Sequence, residues 1–393
     1  MTQAKPEVIA PLTAAALIAQ QVGSNAIRDG LFLSVFPVQS LPYFMAGAAI
    51  LAIFAAHFSG RLLARLGPPR VAPALFAGSA ALFLIEWAFL GWHPAAAAVL
   101  LYLHSSVLGA ISISSFWSLL NERFDPHSAK SLMARVAGAA TFGGLVGGVS
   151  AERVAALFPQ GTLLPLLALV VGLCVVGAIA LGPGASSSQT RVAEEPEPGG
   201  WTQVQRQPLL RNLAVVIALA AMLAALVDYL LKAEAVSYFG KGPHLVRFFG
   251  LFYSATALSA VLIQAVFGRV ALGRFGLAGS VATHPAAVGV ATVLGFVLPT
   301  PWRGILPRSL DVVVRSSTFR AGYELLYTPL AAATKRSAKS VIDVACDSSG
   351  KGVGAMLILL LVRVAPSHPF VTVNVAAALI AAGEFIVARR LRT

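Results

Sequence analysis

Apolar residues run through this chain in blocks of about twenty or more, separated by short polar, Pro- or Gly-containing breaks. A helix needs ~20 mainly apolar residues to cross the hydrocarbon of a bilayer. Twelve segments meet that length, near residues 8–31, 41–63, 70–92, 94–120, 131–157, 161–182, 209–233, 246–269, 276–299, 303–330, 337–363 and 368–388. Most connections between them are short, which leaves no room for a separate catalytic domain. The pattern predicts an all-α polytopic membrane protein of twelve transmembrane helices. The longest break, 184–208, is rich in Pro, Gly, Ser and acidic residues and reads as a cytoplasmic linker. It divides the chain into a six-helix bundle at 1–183 and a second at 209–393.

The two halves echo each other. GRLLARLG at Gly60–Gly67 recurs as GRVALGRFG at Gly268–Gly276, SAKS at Ser128–Ser131 recurs at Ser337–Ser340, and GGLVGG at Gly143–Gly148 faces GKGVG at Gly350–Gly354. All three matches fall in the same order at an offset close to 208 residues. This is the signature of a pseudo-repeat. The glycine runs lie mid-span and lack a GK[ST] ending, so they are expected to serve close helix packing and not phosphate binding.

Composition removes several functions. Of 393 residues, 57% are hydrophobic and 11% charged, against about 25% charged in soluble domains. Such a chain cannot wet its own surface, so a soluble protein is excluded. The formal charge is +13, yet nucleic-acid binding needs a water-exposed basic face that this composition does not supply. With the N-terminus placed in the cytoplasm, 18 of the 29 cations fall on the cytoplasmic side, among them Arg61, Arg65, Arg70, Arg135, Arg389 and Arg390. That bias predicts both termini in the cytoplasm, and an inner (cytoplasmic) membrane of a bacterium as the location. The first apolar run follows only Lys5 and continues into Arg28 and Asp29, unlike a cleavable signal. Cys174 and Cys346 both fall inside spans and read as small core residues.

The remaining charges sit where a bilayer penalises them by ~2.5 kcal/mol or more each. Arg28 and Asp29 end the first span, and Asp228 and Lys232 end the seventh at i and i+4. In the tenth, Arg308, Asp311 and Arg315 fall within about 60° of one another on the helical wheel, while Arg320 and Glu324 lie on a second face. The eleventh carries Lys339, Asp343, Asp347 and Lys351 as one polar stripe. The structural alternative is a set of salt bridges that brace the bundle. Arginine predominates, however, and its planar fork suits phosphate and carboxylate, so an anionic substrate is expected. Glu86 and His104 read as packing or relay groups, His284 before Pro285 as a helix break, and Glu384 as snorkelling toward Arg389. The sequence holds no Ser/His/Asp, Cys/His or metal-spaced constellation, so neither an enzyme, a metal site nor a cofactor is expected.

Parallel six-span halves are the organisation of major facilitator transporters, and GRLLARLGPPR resembles that family's loop signature at Gly60, Arg65, Gly67 and Arg70, with Ala64 where an Asp is expected. Three further segments resemble the nucleotide transporter branch, the ADP/ATP translocases of plastids and intracellular bacteria. They are FWSLLNERFDPHSAKSL (Phe116, Trp117, Asn121, Glu122, Ala129, Lys130), the 319–354 block (Phe319, Glu324, Tyr327, Pro329, Lys339, Asp343, Lys351) and the pair NAIRDGLFLSV with LVDYLLK. Arg320 and Tyr323 depart from the family pattern, and the chain is roughly 100 residues shorter than the family's usual members. The resemblance implies alternating access and places Arg28, Glu122, Asp228 and Lys339 or Lys351 at transport-critical positions.

The expectation is therefore a transporter of a nucleotide (ATP/ADP-type) or another phosphorylated anion, working as a monomer in the lipid bilayer and possibly by exchange. Arg28, Lys232, Arg308, Arg315, Arg320, Lys339 and Lys351 would bind substrate. Asp29, Glu122, Asp228, Asp311 and Glu324 would act as switching counter-ions. Phe116, Trp117 or Tyr323 would stack a base. The alternatives are a proton-coupled carrier of another organic anion and a non-transporting receptor or scaffold on a carrier fold. Neutral residues at the paired-charge positions would mark the scaffold, and here the charges are retained.

Overall fold

The computed structural model describes residues 6–124, 129–182, 200–328, 330, 334, 338–339 and 341–391. Seven helices come first: α1 (Pro6–Val35), α2 (Leu41–Leu66), α3 (Pro68–Leu90), α4 (Pro94–Arg123), α5 (Ala129–Leu157), α6 (Leu163–Leu181) and α7 (Pro208–Phe239). Pro243–Leu294 is helical except at Gly276, and its arms before and after that glycine are α8 and α9. The next helix, α10, passes through Trp302–Val314, a π-helical turn at Arg315–Phe319 and Arg320–Leu326. A second π-helical turn, Val341–Cys346, opens α11, which continues over Asp347–Val364. The last helix, α12, is Pro369–Ala388. A short helix, Gly200–Arg206, precedes α7, and no strand occurs among the described residues.

Each of the twelve apolar segments has become one of these helices. Nine of the described helices are long and apolar enough to cross a membrane. The three that fall short of that standard are α1, α5 and α10. Gln20, Gln21, Asn25, Arg28 and Asp29 dilute α1, and Arg303, Arg308, Asp311 and Arg315 dilute α10. Proline opens α3, α4 and α12 at the first helical turn, where its missing N–H costs nothing.

The sequence repeat has a backbone counterpart. Gly67 ends one copy of the GR…G motif at φ +75°, and Gly276 ends the other at φ +65°. Each is the single residue on which one helix stops and the next begins. Only glycine adopts that conformation without steric cost, which explains why both copies close on it.

The chain forms two compact units. The first comprises residues 1–36, 54–192 and 240–258, hence α1, the later part of α2, α3 to α6 and the start of α8. In it α5 lies against α1 with Gly143 and Gly147 at the seam. A Cβ on Gly143 would stand 2.0 Å from the Ala15 carbonyl oxygen, and one on Gly147 would stand 2.1 Å from that of Ala19. The glycine run thus does what its mid-span position implies, since helices in lipid associate by close backbone approach over small residues. The second unit comprises 37–53, 193–239 and 259–393. Its centre is α7, most of whose residues from Leu210 to Ala235 are buried. Gly350 and Gly354 of α11 lie against Ala218, Met222 and Ala225 of α7, and Gly304 of α10 lies against Leu230 and Leu231. These approaches bring the charged faces of α10 and α11 to α7. Most of the sequence's linker, 184–199, lies outside the described residues.

Candidate functional site

In the first unit the polar centre is built on α1. Arg28 donates from Nε to Asp29 Oδ1 (2.8 Å) and from Nη2 to Oδ2 (2.9 Å), and from Nη1 to Asn25 Oδ1 (3.2 Å). Its guanidinium also lies over the Tyr102 ring of α4, 5.5 Å from the centroid. Asp29 is 1% exposed and receives a 2.5 Å hydrogen bond from the Tyr253 hydroxyl of α8. Adjacent residues on a helix do not share a face, yet here the long Arg28 side chain folds back on its neighbour. Asp29 is thus held by a cation and a phenol together. Towards the ends of α5 and α8, Arg247 donates to Glu152 at 3.0 Å. Of the sequence-predicted residues, Glu122 is exposed at the end of α4, away from this centre. Phe116 is 1% exposed and packs edge-on to Trp117, so it is a core residue and offers no face to a base.

The second unit concentrates the charge. Lys232 donates to Asp228 Oδ2 at 2.7 Å along one face of α7, as the i, i+4 spacing predicts. Arg308 of α10 bridges Asp228 Oδ1 (3.1 Å) and Asp311. Further along α10, Arg315 donates to Asp347 of α11 (2.6 Å) and to the Ala220 carbonyl of α7 (3.3 Å). Lys351 reaches the other oxygen of Asp347 at 2.7 Å. Arg320 pairs with Glu324 at 2.9 Å, and Lys339 reaches the same carboxylate at 2.5 Å. Tyr323 donates to Asp343 and lies 2.9 Å, hydroxyl to hydroxyl, from Tyr327. Tyr323 is itself 1% exposed and stacks on Phe319.

These groups surround two cavities. The larger, about 510 Å³, is lined by Ala224, Arg308, Asp311, Val312, Arg315, Ser316, Arg320 and Lys351. The smaller, about 260 Å³, is lined by Ile217, Arg315, Phe319, Arg320, Tyr323, Asp343 and Asp347. Arg315 and Arg320 border both. Four cations and one carboxylate face the larger cavity, and the guanidinium forks stand ready for a tetrahedral or planar oxyanion. Two expectations drawn from sequence meet here. The shared face of Arg308, Asp311 and Arg315 exists, and the polar stripe of α11 faces the same space through Lys351.

Three readings of isolated polar residues need correction. Pro285 does not break its helix: α9 continues through it to Leu294, and the break lies earlier, at Gly276. His284 is instead fully buried. Its Nδ1 lies 2.8 Å from Glu384 Oε1 and its Nε2 lies 3.0 Å from Asp311 Oδ1. Glu384 does not snorkel toward Arg389; it is 0% exposed, turned inward to the imidazole. In the first unit Glu86 and His104 are bonded at 2.8 Å, and His104 reaches Ser79 at 2.8 Å from its other nitrogen. Single-residue signals for these contacts existed in the sequence, as ionisable groups in otherwise apolar helices. Their partners lie 18 to 100 positions away and no local pattern joins them.

Three solved structures resemble the chain over nearly its whole length. One is a mutant form of the nucleoside transporter NupG, at TM-score 0.73 and 14% identity over 98% of this chain and 99% of that one. A bacterial homologue of the iron transporter ferroportin in its inward-facing state follows at TM-score 0.70 and 16% identity, over 98% of both chains. A POT family transporter with a bound thioalcohol-conjugated peptide has TM-score 0.68 and 11% identity, over 98% of this chain and 96% of that one. No family model matches the sequence, and no curated protein matches it. The likeness is one of architecture, and on it the chain carries the major facilitator fold of membrane transporters.

Proposed function

We propose that this protein is an alternating-access transporter that moves a nucleotide of the ATP/ADP type, or another phosphorylated anion, across a bacterial inner membrane. The observation that carries the reading is the 510 Å³ cavity on which Arg308, Arg315, Arg320 and Lys351 converge against a single lining carboxylate. A multiply charged anion entering it would compete with Asp228, Asp311 and Asp347 for these cations. Lys232, Lys339 and Arg28 stand behind them as further cations already held by Asp228, Glu324 and Asp29. Empty, the carrier is neutralised by its own ion pairs; loaded, it is neutralised by the substrate. That exchange of partners gives the anion a differential interaction with two states, which any ligand-driven change requires. We place the two six-helix repeats at 1–183 and 209–393, both termini in the cytoplasm, and the working unit as a monomer.

The test is uptake of labelled ATP into proteoliposomes, with and without internal ADP. Uptake is expected, faster with internal ADP if transport is by exchange. Arg315→Lys keeps the charge and removes the fork, and it is expected to weaken the apparent affinity about tenfold, roughly one charge-assisted hydrogen bond. Absence of uptake, together with no loss of any activity in Arg28→Ala, overturns the reading. A second reading, a proton-coupled carrier of an organic anion, is favoured by one observation: the buried imidazole between Asp311 and Glu384.

A further inference from the structure

We propose that Glu384, His284 and Asp311 form a proton-binding site in the second unit, linked through Arg308 to the anion cavity, so that a proton travels with the anion. The linkage rests on the reading of that cavity as an anion site; the proton site does not. Three helices supply the groups: His284 from α9, Asp311 from α10 and Glu384 from α12. Their exposures are 0%, 1% and 0%, and the imidazole nitrogens lie 2.8 Å and 3.0 Å from one oxygen of each acid. An ionised carboxylate only accepts hydrogen bonds, and a neutral imidazole has only one N–H to give. Two such contacts at these distances therefore require one proton more than a neutral histidine between two carboxylates would hold. The cluster stores that proton, either on the imidazole or on one of the acids.

The first unit offers an internal comparison. His104 is buried against Glu86 at 2.8 Å and against the Ser79 hydroxyl at 2.8 Å. A hydroxyl donates or accepts as needed, so a neutral His104 satisfies both contacts and no extra proton is required. The two buried histidines look alike in sequence, and only the one in the second unit is flanked by two acids.

The surroundings decide which acid shares the proton. Asp311 is also held by Arg308, which in turn holds Asp228 beside Lys232, and Arg315 lies one turn along α10. Asp311 is therefore the fixed anion. The second oxygen of Glu384 is buried and makes no hydrogen bond, so no donor stabilises its charge there. The other neighbours are the Phe319 ring, edge-on to His284 at 5.3 Å, and Arg389, just over one turn along α12. A substrate anion that draws Arg308 toward the cavity leaves Asp311 with the imidazole alone, and the cluster then holds its proton more tightly. By reciprocity the proton strengthens anion binding to the same extent. Positive linkage of this kind is the condition for cotransport.

The test uses the full chain in proteoliposomes on a solid-supported membrane, where a pH jump without substrate reads proton binding as a transient current. Wild-type protein is expected to give a current that titrates once between about pH 5 and 8. Glu384→Gln supplies an amide N–H to His284 and removes the need for the extra proton, so the current is expected to be lost. Glu86→Gln is expected to retain it. A current that survives in Glu384→Gln, or that Glu86→Gln alone removes, overturns the proposal. Should Glu384→Gln not fold, wild-type protein decides, because no current across that range also overturns it. Saturating ATP is expected to raise the titration midpoint by about one pH unit, the shift produced by a tenfold coupling. A midpoint unmoved by ATP, with the current still lost in Glu384→Gln, overturns the linkage to ATP and supports the proton site alone.

Discussion

Arg308 offers the sharpest test of how the charged cavity is held together. Replacing it by Met keeps much of the aliphatic stem and removes the guanidinium from two acids, Asp228 at 3.1 Å and Asp311, which it also bonds. Breaking a buried ion pair on one side costs about 3–5 kcal/mol when the remaining charge is left alone. Here neither acid is left alone, since Lys232 keeps Asp228 at 2.7 Å and His284 keeps Asp311 at 3.0 Å. The expected loss for Arg308→Met is therefore at the low end, about 3 kcal/mol. Asp311→Asn, alone, strands the arginine less severely because Asp228 remains, and about 2 kcal/mol is expected, near the worth of a hydrogen bond to a charged group. The double variant removes both ends of one interaction. Its loss should fall short of the sum of the two by about 2 kcal/mol, within the range found for contacting residues. Reversible unfolding of the detergent-solubilised protein, followed by circular dichroism, measures all three. Additivity within about 0.5 kcal/mol, the behaviour of independent sites, would refute the view that Arg308 and Asp311 act as one pair.

Two further outcomes follow from packing. Gly147→Ala places a methyl group 2.1 Å from a backbone oxygen of α1, which no rotamer change relieves; a loss of about 1–3 kcal/mol is expected, whereas Gly138→Ala, with nothing within 4 Å, gains up to about 1 kcal/mol of helix propensity. Thermal midpoints that move in the same direction for both would contradict the description of the α1–α5 seam. Of the two thiols, Cys174 is buried and Cys346 partly exposed, so mass spectrometry after maleimide treatment of the native protein should find label on Cys346 only, and on both after unfolding.

How far the fold was legible from sequence depends on the length of the pattern that encodes it. Each span is written in some twenty consecutive residues, and each of the twelve proposed segments coincides with a helix. The Asp228–Lys232 and Asp347–Lys351 pairs were legible for a related reason: one helical turn fixes their spacing. The shared face of Arg308, Asp311 and Arg315 follows from helix phase alone. What could not be read was any contact that depends on which helices are neighbours. Glu384 looked like a residue snorkelling to Arg389, because both lie at the end of α12 and the partner on α9 is 100 positions away. Tyr253 carries no mark that it donates to Asp29, 224 positions distant. Proline misled at His284, where its usual meaning as a helix breaker was overridden by continued packing of α9. The true break was carried by Gly276, visible in the sequence as the end of a repeated motif.

The π-helical turns of α10 and α11 carry a consequence for how this chain tolerates change in length. A π turn is an α-helix holding one residue more than its regular turn. Deleting one residue from Arg315–Phe319 would restore the regular helix and rotate everything beyond it by about 100° about the axis. Arg320, Tyr323 and Glu324 would then leave the side of α10 on which they now meet Arg315, Asp343 and Lys339. The same holds for Val341–Cys346 and the residues that follow it, Asp347 and Lys351. At these two places an indel acts as a screw turn that re-aims half a helix, so a relative one residue shorter here would present a different set of side chains to its cargo without losing a span.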